Sequence, residues 1–254
     1  MLKNSLAFCL LSLILFNIPF SYSQNNSCKS CTLKPGDLIH FKSALKDAKL
    51  HYYTNQGKTK LDLKKAEEVC YLNYFFECKD KMVLISPGQK SDRIEIRQDK
   101  DLALDKKSTL YFLASFEDVP TDRLNKGVTI AQIHNDTKGV KRPLLRVEIT
   151  GNNQIRVILT ESYLKNEGIV ENDFFIPFNE KDLIECILTI LGNEEDILIK
   201  LKNVTQNKKR EIVYHVSDLW KTMDGNFYFK SGAYTQVSGA KTKVTYHKFK
   251  FFYQ

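Results

Sequence analysis

The sequence predicts an all-β protein, a β-sandwich or jelly roll of antiparallel strands, and three features carry that reading. Short segments of period-two alternation follow one another at close spacing. Turn-forming clusters such as Gly151-Asn152-Asn153 separate them. Nothing between them has the length and periodicity of a crossover helix, which parallel strands would need. With 254 residues, 43% hydrophobic, including 16 Phe and 12 Tyr, the chain can bury a sizeable core without metals or disulfides.

The elements follow in order. Met1-Leu2-Lys3, an apolar run from Leu6 to Phe16 and the small-x-small pattern Ser21-Tyr22-Ser23 read as a secretory signal peptide, residues 1–23. The run is too short for a membrane span, and bulky Phe8 before Cys9 argues against a lipoprotein site. An uncleaved anchor is the alternative. The expected mature chain is one domain, residues 24–254, with an ill-defined segment at about 24–38. It is expected to be monomeric, without stable membrane association, and secreted, or periplasmic in a Gram-negative host. Without Cys9, five cysteines remain, an odd number for an oxidising compartment, so at least one thiol is unpaired within the chain. Cys70 and Cys78 suit a local disulfide. Cys28-Lys29-Ser30-Cys31 lacks the second pair a zinc site requires.

Strands are predicted at Arg93–Arg97, Thr109–Phe116, Val128–His134, Leu144–Thr150, Ile155–Thr160, Asp196–Leu201, Glu211–His215, Asn226–Gln236 and Lys243–Phe252. Glu180–Leu191 is ambiguous: Asn179 could cap a helix, while Ile187-Leu188-Thr189-Ile190 suits a strand. Lys60–Val69 reads as a short helix. Cys186 is expected to be buried in a strand. Asn25-Asn26-Ser27, Asn135-Asp136-Thr137 and Asn203-Val204-Thr205 are sequons, meaningful only in a eukaryotic secretory host.

The 38 Lys and Arg exceed the 30 Asp and Glu, giving +8, and loss of Lys3 with the leader leaves 37 against 30, or +7. Such a surplus favours an acidic partner. Export argues against nucleic acid and points to an extracellular polyanion. No cluster of residues has metal-ligand spacing, and no cofactor is expected. His40, His51, His215 and His247 are scattered, so packing or surface placement is their default.

Alternation sorts the polar residues, because side chains at i, i+2 and i+4 share one face of a strand. Arg93, Glu95 and Arg97 share a face opposite Ile94 and Ile96. Gln132 and His134 lie opposite Ile133. Tyr228, Lys230, Gly232, Tyr234 and Gln236 share a third face, with Gly232 leaving room for close approach. Each stripe alone reads as a solvated outer face. Together they offer guanidinium, amide, imidazole and phenol, a set suited to binding a sugar carboxylate with proton transfer beside it.

These three segments resemble the signature motifs of the alginate lyases of polysaccharide lyase family 7. Arg93-Ile94-Glu95-Ile96-Arg97 is similar to its R-[ST]-E-L-R motif, Gln132-Ile133-His134 to Q-I-H, and Tyr228 to Gln236 to Y-F-K-A-G-x-Y-x-Q, in the family's order. Ile94 stands where Ser or Thr is usual, Ser231 for Ala and Thr235 for Asn, all on the face opposite the proposed chemistry. The resemblance implies a concanavalin A-like jelly roll of two curved antiparallel sheets, with a cationic groove on the concave one. It implies β-elimination of a 1,4-linked polyuronate, alginate, with an anionic polysaccharide as partner and no metal.

In that scheme the catalytic residues are Arg93, Gln132, His134 and Tyr234. Arg93 and Gln132, helped by His134, hold the carboxylate and stabilise the enolate-like state. His134 takes the C5 proton, and Tyr234 gives its proton to the departing oxygen. Arg97 and Lys230 bind neighbouring uronates, Tyr228 and Gln236 shape the groove, and Glu95 orients the arginines. Two alternatives stand beside this reading: a lyase for glucuronan or another polyuronate, and a non-catalytic sugar-binding module.

Overall fold

Alternating strands become stable when each apolar face is covered by another sheet. In the computed structural model, which describes residues 35–63, 74–120, 126–164, 169–192, 196–223 and 226–254, fifteen strands form. They are β1 (Ala48–Thr54), β2 (Gly57–Asp62), β3 (Phe75–Cys78), β4 (Lys81–Ile85), β5 (Arg93–Gln98), β6 (Ser108–Glu117), β7 (Val128–Asn135), β8 (Leu145–Thr150), β9 (Gln154–Thr160), β10 (Ile169–Pro177), β11 (Leu183–Ile190), β12 (Asp196–Asn203), β13 (Lys208–His215), β14 (Phe227–Thr235) and β15 (Lys243–Tyr253). A 3₁₀ turn at Pro35–Asp37 and two one-turn helices, α1 (Lys42–Leu45) and α2 (Asp218–Lys221), accompany them.

The strands make an eight-stranded sheet, ordered β10-β9-β8-β7-β14-β5-β1-β2, and a seven-stranded sheet, ordered β13-β12-β11-β6-β15-β4-β3. Each ladder is antiparallel, giving the jelly-roll sandwich expected. Ile94, Ile96, Ile133 and Phe229 of the first sheet and Phe112, Phe116, Leu188 and Phe249 of the second are fully buried in one core. A polar tether between the sheets lies within it. Ser231 Oγ donates to the Ile130 carbonyl at 2.9 Å, so the Tyr246 hydroxyl, 2.7 Å from Ser231 Oγ, is the donor to Ser231. That contact gives the Ser231 hydroxyl a partner inside the sandwich. Trp220 of α2 is fully buried and its indole N–H donates to the Thr160 carbonyl at 2.5 Å.

All nine predicted strands coincide with observed ones, although Glu211–His215 is only the second half of β13. The ambiguous segment is strand β11, paired with both β6 and β12. Asn179 caps no helix: its backbone N–H donates to Asp182 Oδ2 at 2.8 Å, and that oxygen also accepts from Asn203 Nδ2 at 2.7 Å and Gln206 Nε2 at 2.6 Å. The local turn therefore outcompetes a helical start. The predicted helix at Lys60–Val69 is corrected where it can be seen, since Lys60–Asp62 ends strand β2 in register with β1; residues 64–69 lie outside the described residues. The Asn203 sequon is sealed, with Nδ2 also donating to the Pro177 carbonyl, so a glycan there would break the turn. Cys78 is disulfide-bonded, whereas Cys186 is free and buried, its thiol pushed up by desolvation. The expected signal peptide, Cys28, Cys31 and Cys70 lie outside the described residues. No helix among the described residues is long and apolar enough to cross a membrane.

Candidate active site

Antiparallel register turns the three polar stripes into ranks running across the eight-stranded sheet. One rank is Tyr53, Arg93, Tyr234, Thr129, Glu148 and Arg156, on β1, β5, β14, β7, β8 and β9. The next is Lys60, His51, Glu95 and Gly232. A third is Lys49, Arg97, Lys230, Gln132 and Arg146. Tyr228 and His134 follow as a pair. Residues far apart in sequence thus share one outer face, opposite the core-facing Ile94, Ile96 and Ile133.

Glu95 is the centre of this face. It is only 1% exposed, and such a carboxylate needs partners to offset its lost hydration. Gln132 Nε2 donates to its Oε1, and Lys230 Nζ lies 3.5 Å and an Arg93 nitrogen 3.9 Å from its Oε2. Three strands are tied together through one buried anion. Lys230 is itself only 4% exposed; desolvation holds its ammonium below the usual lysine range, partly offset by Glu95.

Aromatic rings hold the cations from the side. The Arg93 guanidinium lies 3.9 Å from the Tyr234 ring centroid and 5.4 Å from that of Tyr53, and the Arg97 guanidinium lies 4.0 Å from that of Tyr228. Tyr228 also stacks on His134, with centroids 5.6 Å apart. Gln236 Nε2 donates to Thr129 Oγ1 at 3.1 Å. Farther along, Glu148 and Arg156 form a buried pair at 3.2 Å.

His134 is held as a particular neutral tautomer. Its Nδ1 lies 2.7 Å from the Asn135 carbonyl, which can only accept, so Nδ1 carries the proton and Nε2 keeps a lone pair. Desolvation, followed by the Lys230 charge, lowers its pKa to about 4, against a smaller raising effect from the Asn135 carbonyl and Glu95. Near neutral pH this imidazole is a base without a proton to lose first.

One expectation needs correction and another is made specific. Glu95 does not orient both arginines: Arg97 takes its carboxylate partners from Asp99 at 4.0 Å and Asp101 at 3.8 Å, while Glu95 serves Arg93, Lys230 and Gln132. Gly232 does leave room for close approach, and what approaches is the backbone of β5. A Cβ there would sit 2.0 Å from the Ile94 carbonyl oxygen and 2.7 Å from Glu95 Cα, so glycine lets β5 approach at the irregularity between Ser231 and Tyr234.

The sequence reading missed β1, which adds Tyr53 and His51 to the face. His51 is buried beside Glu95 and stacks on Tyr53 with centroids 5.2 Å apart. The alternation Lys49, His51, Tyr53 against Leu50 and Tyr52 is the signal that would have found it. Among the described residues no group of three or more His, Cys, Asp or Glu side chains could hold a metal ion.

The motif residues and their convergence can be set beside known proteins. The family model for alginate lyase matches residues 49–253, nearly all of the described chain. The chain belongs to the alginate lyase family. Solved structures agree on the fold: alginate lyase AlyC3 superposes with a TM-score of 0.72 at 18% identity, over 91% of this chain and 97% of that one. Alginate lyase A1-II', a member of polysaccharide lyase family 7, gives 0.68 at 16%, over 87% and 99%. Alginate lyase PA1167 from Pseudomonas aeruginosa gives 0.63 at 16%, over 83% and 99%. No curated protein matches the chain. The sandwich is thus shared with these three at 16–18% identity.

Proposed function

We propose that this member of the alginate lyase family is a secreted enzyme that cleaves alginate by β-elimination at the face organised by Glu95. The reaction breaks the C5–H bond, forms the C4–C5 double bond and breaks the C4–O4 bond, leaving an unsaturated uronate at the new end. An ionised carboxylate at C5 opposes the developing negative charge, so it must be neutralised first. Arg93 and the second amide N–H of Gln132 provide donors for that carboxylate, with the nearby Lys230 charge. Preorganised donors of this kind contribute several kcal/mol at comparable sites.

His134 Nε2 takes the C5 proton, and the Tyr234 hydroxyl donates to the departing O4. Arg97, stacked on Tyr228, binds a neighbouring uronate and Gln236 borders the groove. The observation that carries this reading is the joining of Gln132, Lys230 and Arg93 through one buried carboxylate, on the face that also presents His134 and Tyr234. Solved alginate lyases described as complexes with dimannuronate and with a GGMG substrate support a polyuronate as ligand.

The test is incubation of the purified mature chain with polymannuronate, polyguluronate and glucuronan, following the ultraviolet absorbance of the unsaturated product. Absorbance growth on an alginate block is the expected result. Binding to alginate with no absorbance would turn the reading to a sugar-binding module, and cleavage of glucuronan alone would move it to another polyuronate.

A further inference from the structure

His51 is a polar group buried in the middle of the candidate site and used by no step above. It is 5% exposed, its Nδ1 is sealed from solvent with no hydrogen-bond partner, and its Nε2 is neither sealed nor bonded within the protein. Around it stand Lys60 of β2, Arg93 and Arg97 of β5 and Lys230 of β14, with Glu95 opposite in register and Tyr53 stacked on the ring.

Desolvation, reinforced by those four cations, lowers its pKa to about 2, so the ring is neutral at any working pH. A neutral imidazole has one N–H and one lone pair. At a sealed Nδ1, a proton would be a buried donor with no acceptor. A lone pair there faces a positive field and is favoured electrostatically. The proton therefore belongs on Nε2, the nitrogen with access to the groove.

We infer that His51 is a substrate-binding residue whose Nε2–H donates a hydrogen bond to an oxygen of a uronate carboxylate bound on the β1 side of the site. The same four cations draw an anion to that position. His51 and His134 thus stand on one sheet face in opposite tautomers: His134 presents a lone pair for proton abstraction, and His51 presents an N–H for binding. The inference rests on the polyuronate reading and adds to it a binding position from a strand outside the three motifs.

Two measurements test it. Long-range 1H–15N correlation spectra of the 15N-labelled protein near neutral pH read the tautomer directly, with the His51 signals identified by their loss in His51→Gln. An Nε2–H tautomer for His51 and an Nδ1–H tautomer for His134 are expected; an Nδ1–H or doubly protonated His51 overturns the inference. Kinetics on alginate read the contact. The Gln amide nitrogen reaches near the Nε2 position and the Asn nitrogen near Nδ1, so His51→Gln should keep KM within about twofold, while His51→Asn and His51→Ala raise it about tenfold with kcat little changed. An unchanged KM in His51→Ala, or equal rescue by Asn and Gln, overturns it. Should the wild-type protein release no unsaturated product from any polyuronate, the functional reading fails, whereas the tautomer result stands or falls by itself.

Discussion

The sandwich has two cationic outer faces, and they are built differently. On the eight-stranded sheet, Lys230, Arg93 and Gln132 converge on Glu95 beneath them, and the rings of Tyr53, Tyr228 and Tyr234 flank the guanidinium groups. On the seven-stranded sheet, Lys200, Lys202, Lys209 and Arg210 line a groove with Glu185 and Glu211. There Lys200 meets Glu211 at 3.0 Å with both side chains substantially exposed, and Lys202 lies opposite Lys209 in the ladder. Both faces contribute to the net charge, so charge alone cannot choose between them. A buried carboxylate with converging donors fixes geometry, whereas an exposed ion pair contributes about 0–1 kcal/mol and fixes little.

The largest effect should come from the group assigned to the leaving oxygen. Tyr234→Phe keeps the ring over Arg93 and removes only the hydroxyl, so cleavage of every alginate block should fall by at least about a hundredfold. Alginate affinity and circular dichroism should stay near wild type. A folded Tyr234→Phe protein that retains most of its activity would remove Tyr234 from the chemistry and erase the main distinction between the faces.

Next in size is the paired comparison of Glu95→Gln and Glu211→Gln. Removing the charge of Glu95 leaves Lys230 and Arg93 without their buried partner, and breaking such a pair costs about 3–5 kcal/mol. The denaturant midpoint should therefore fall sharply, with kcat/KM falling as Gln132 and Arg93 lose their anchor. Removing the charge of Glu211 should change stability by no more than about 0.5 kcal/mol. Equal losses in the two variants would show that burial of the carboxylate is not what separates the faces.

Much of this contrast was legible in the sequence because β5, β7 and β14 alternate cleanly. Ile94 and Ile96 mark the inward side of Arg93, Glu95 and Arg97, and Ile133 does the same for Gln132 and His134. β1 was harder to read, since Tyr52 turns inward beside Tyr74 while Tyr53 turns outward beneath Arg93, putting tyrosine on both faces. In β10 the register shifts between Glu171 and Phe175, which breaks the period of two. What no local pattern could supply is the register of β1 on β5, which sets His51 opposite Glu95 across 44 positions of chain. Pairing of distant strands is a tertiary property, decided by packing of the faces as much as by any one segment.

The pH dependence should sharpen the comparison more gently. With His134 at about 4, the acid limb of kcat/KM should lie near pH 4, well below the 6.5 of an unperturbed histidine. Lys230→Met removes a charge that lowers the His134 pKa and should move the limb upward, even as overall activity falls. Stability follows the same sign. Both His134 and His51 have folded pKa values below 6.5, so from pH 6.5 downward the unfolded chain binds more protons and stability declines as acid is added. His51→Gln should flatten that decline in denaturant titrations between pH 7 and 5, and an unaltered slope would mean that His51 is not held neutral by the fold.

The smallest effect is expected on the other face. Lys202 and Lys209 are direct cross-strand partners of like charge, an arrangement that costs a few tenths of a kcal/mol up to about 1. Lys209→Ser relieves the repulsion without touching the core, so the melting temperature should stay level or rise slightly, and alginate cleavage should remain within about twofold. The comparison with Lys230 is pointed because both are lysines on β-strands that face away from the core. Lys230→Met removes a buried cation locked to Glu95, while Lys209→Ser removes a solvated one, and salt should matter most where charges are exposed. Measuring initial rates on long polymer and on short oligomers, at low and physiological salt, separates a general charge effect from a site. If Lys209→Ser slows polymer cleavage more than about threefold and spares oligomers, the seven-stranded face holds polymer as well, and exposed cations would have to be counted among the binding determinants.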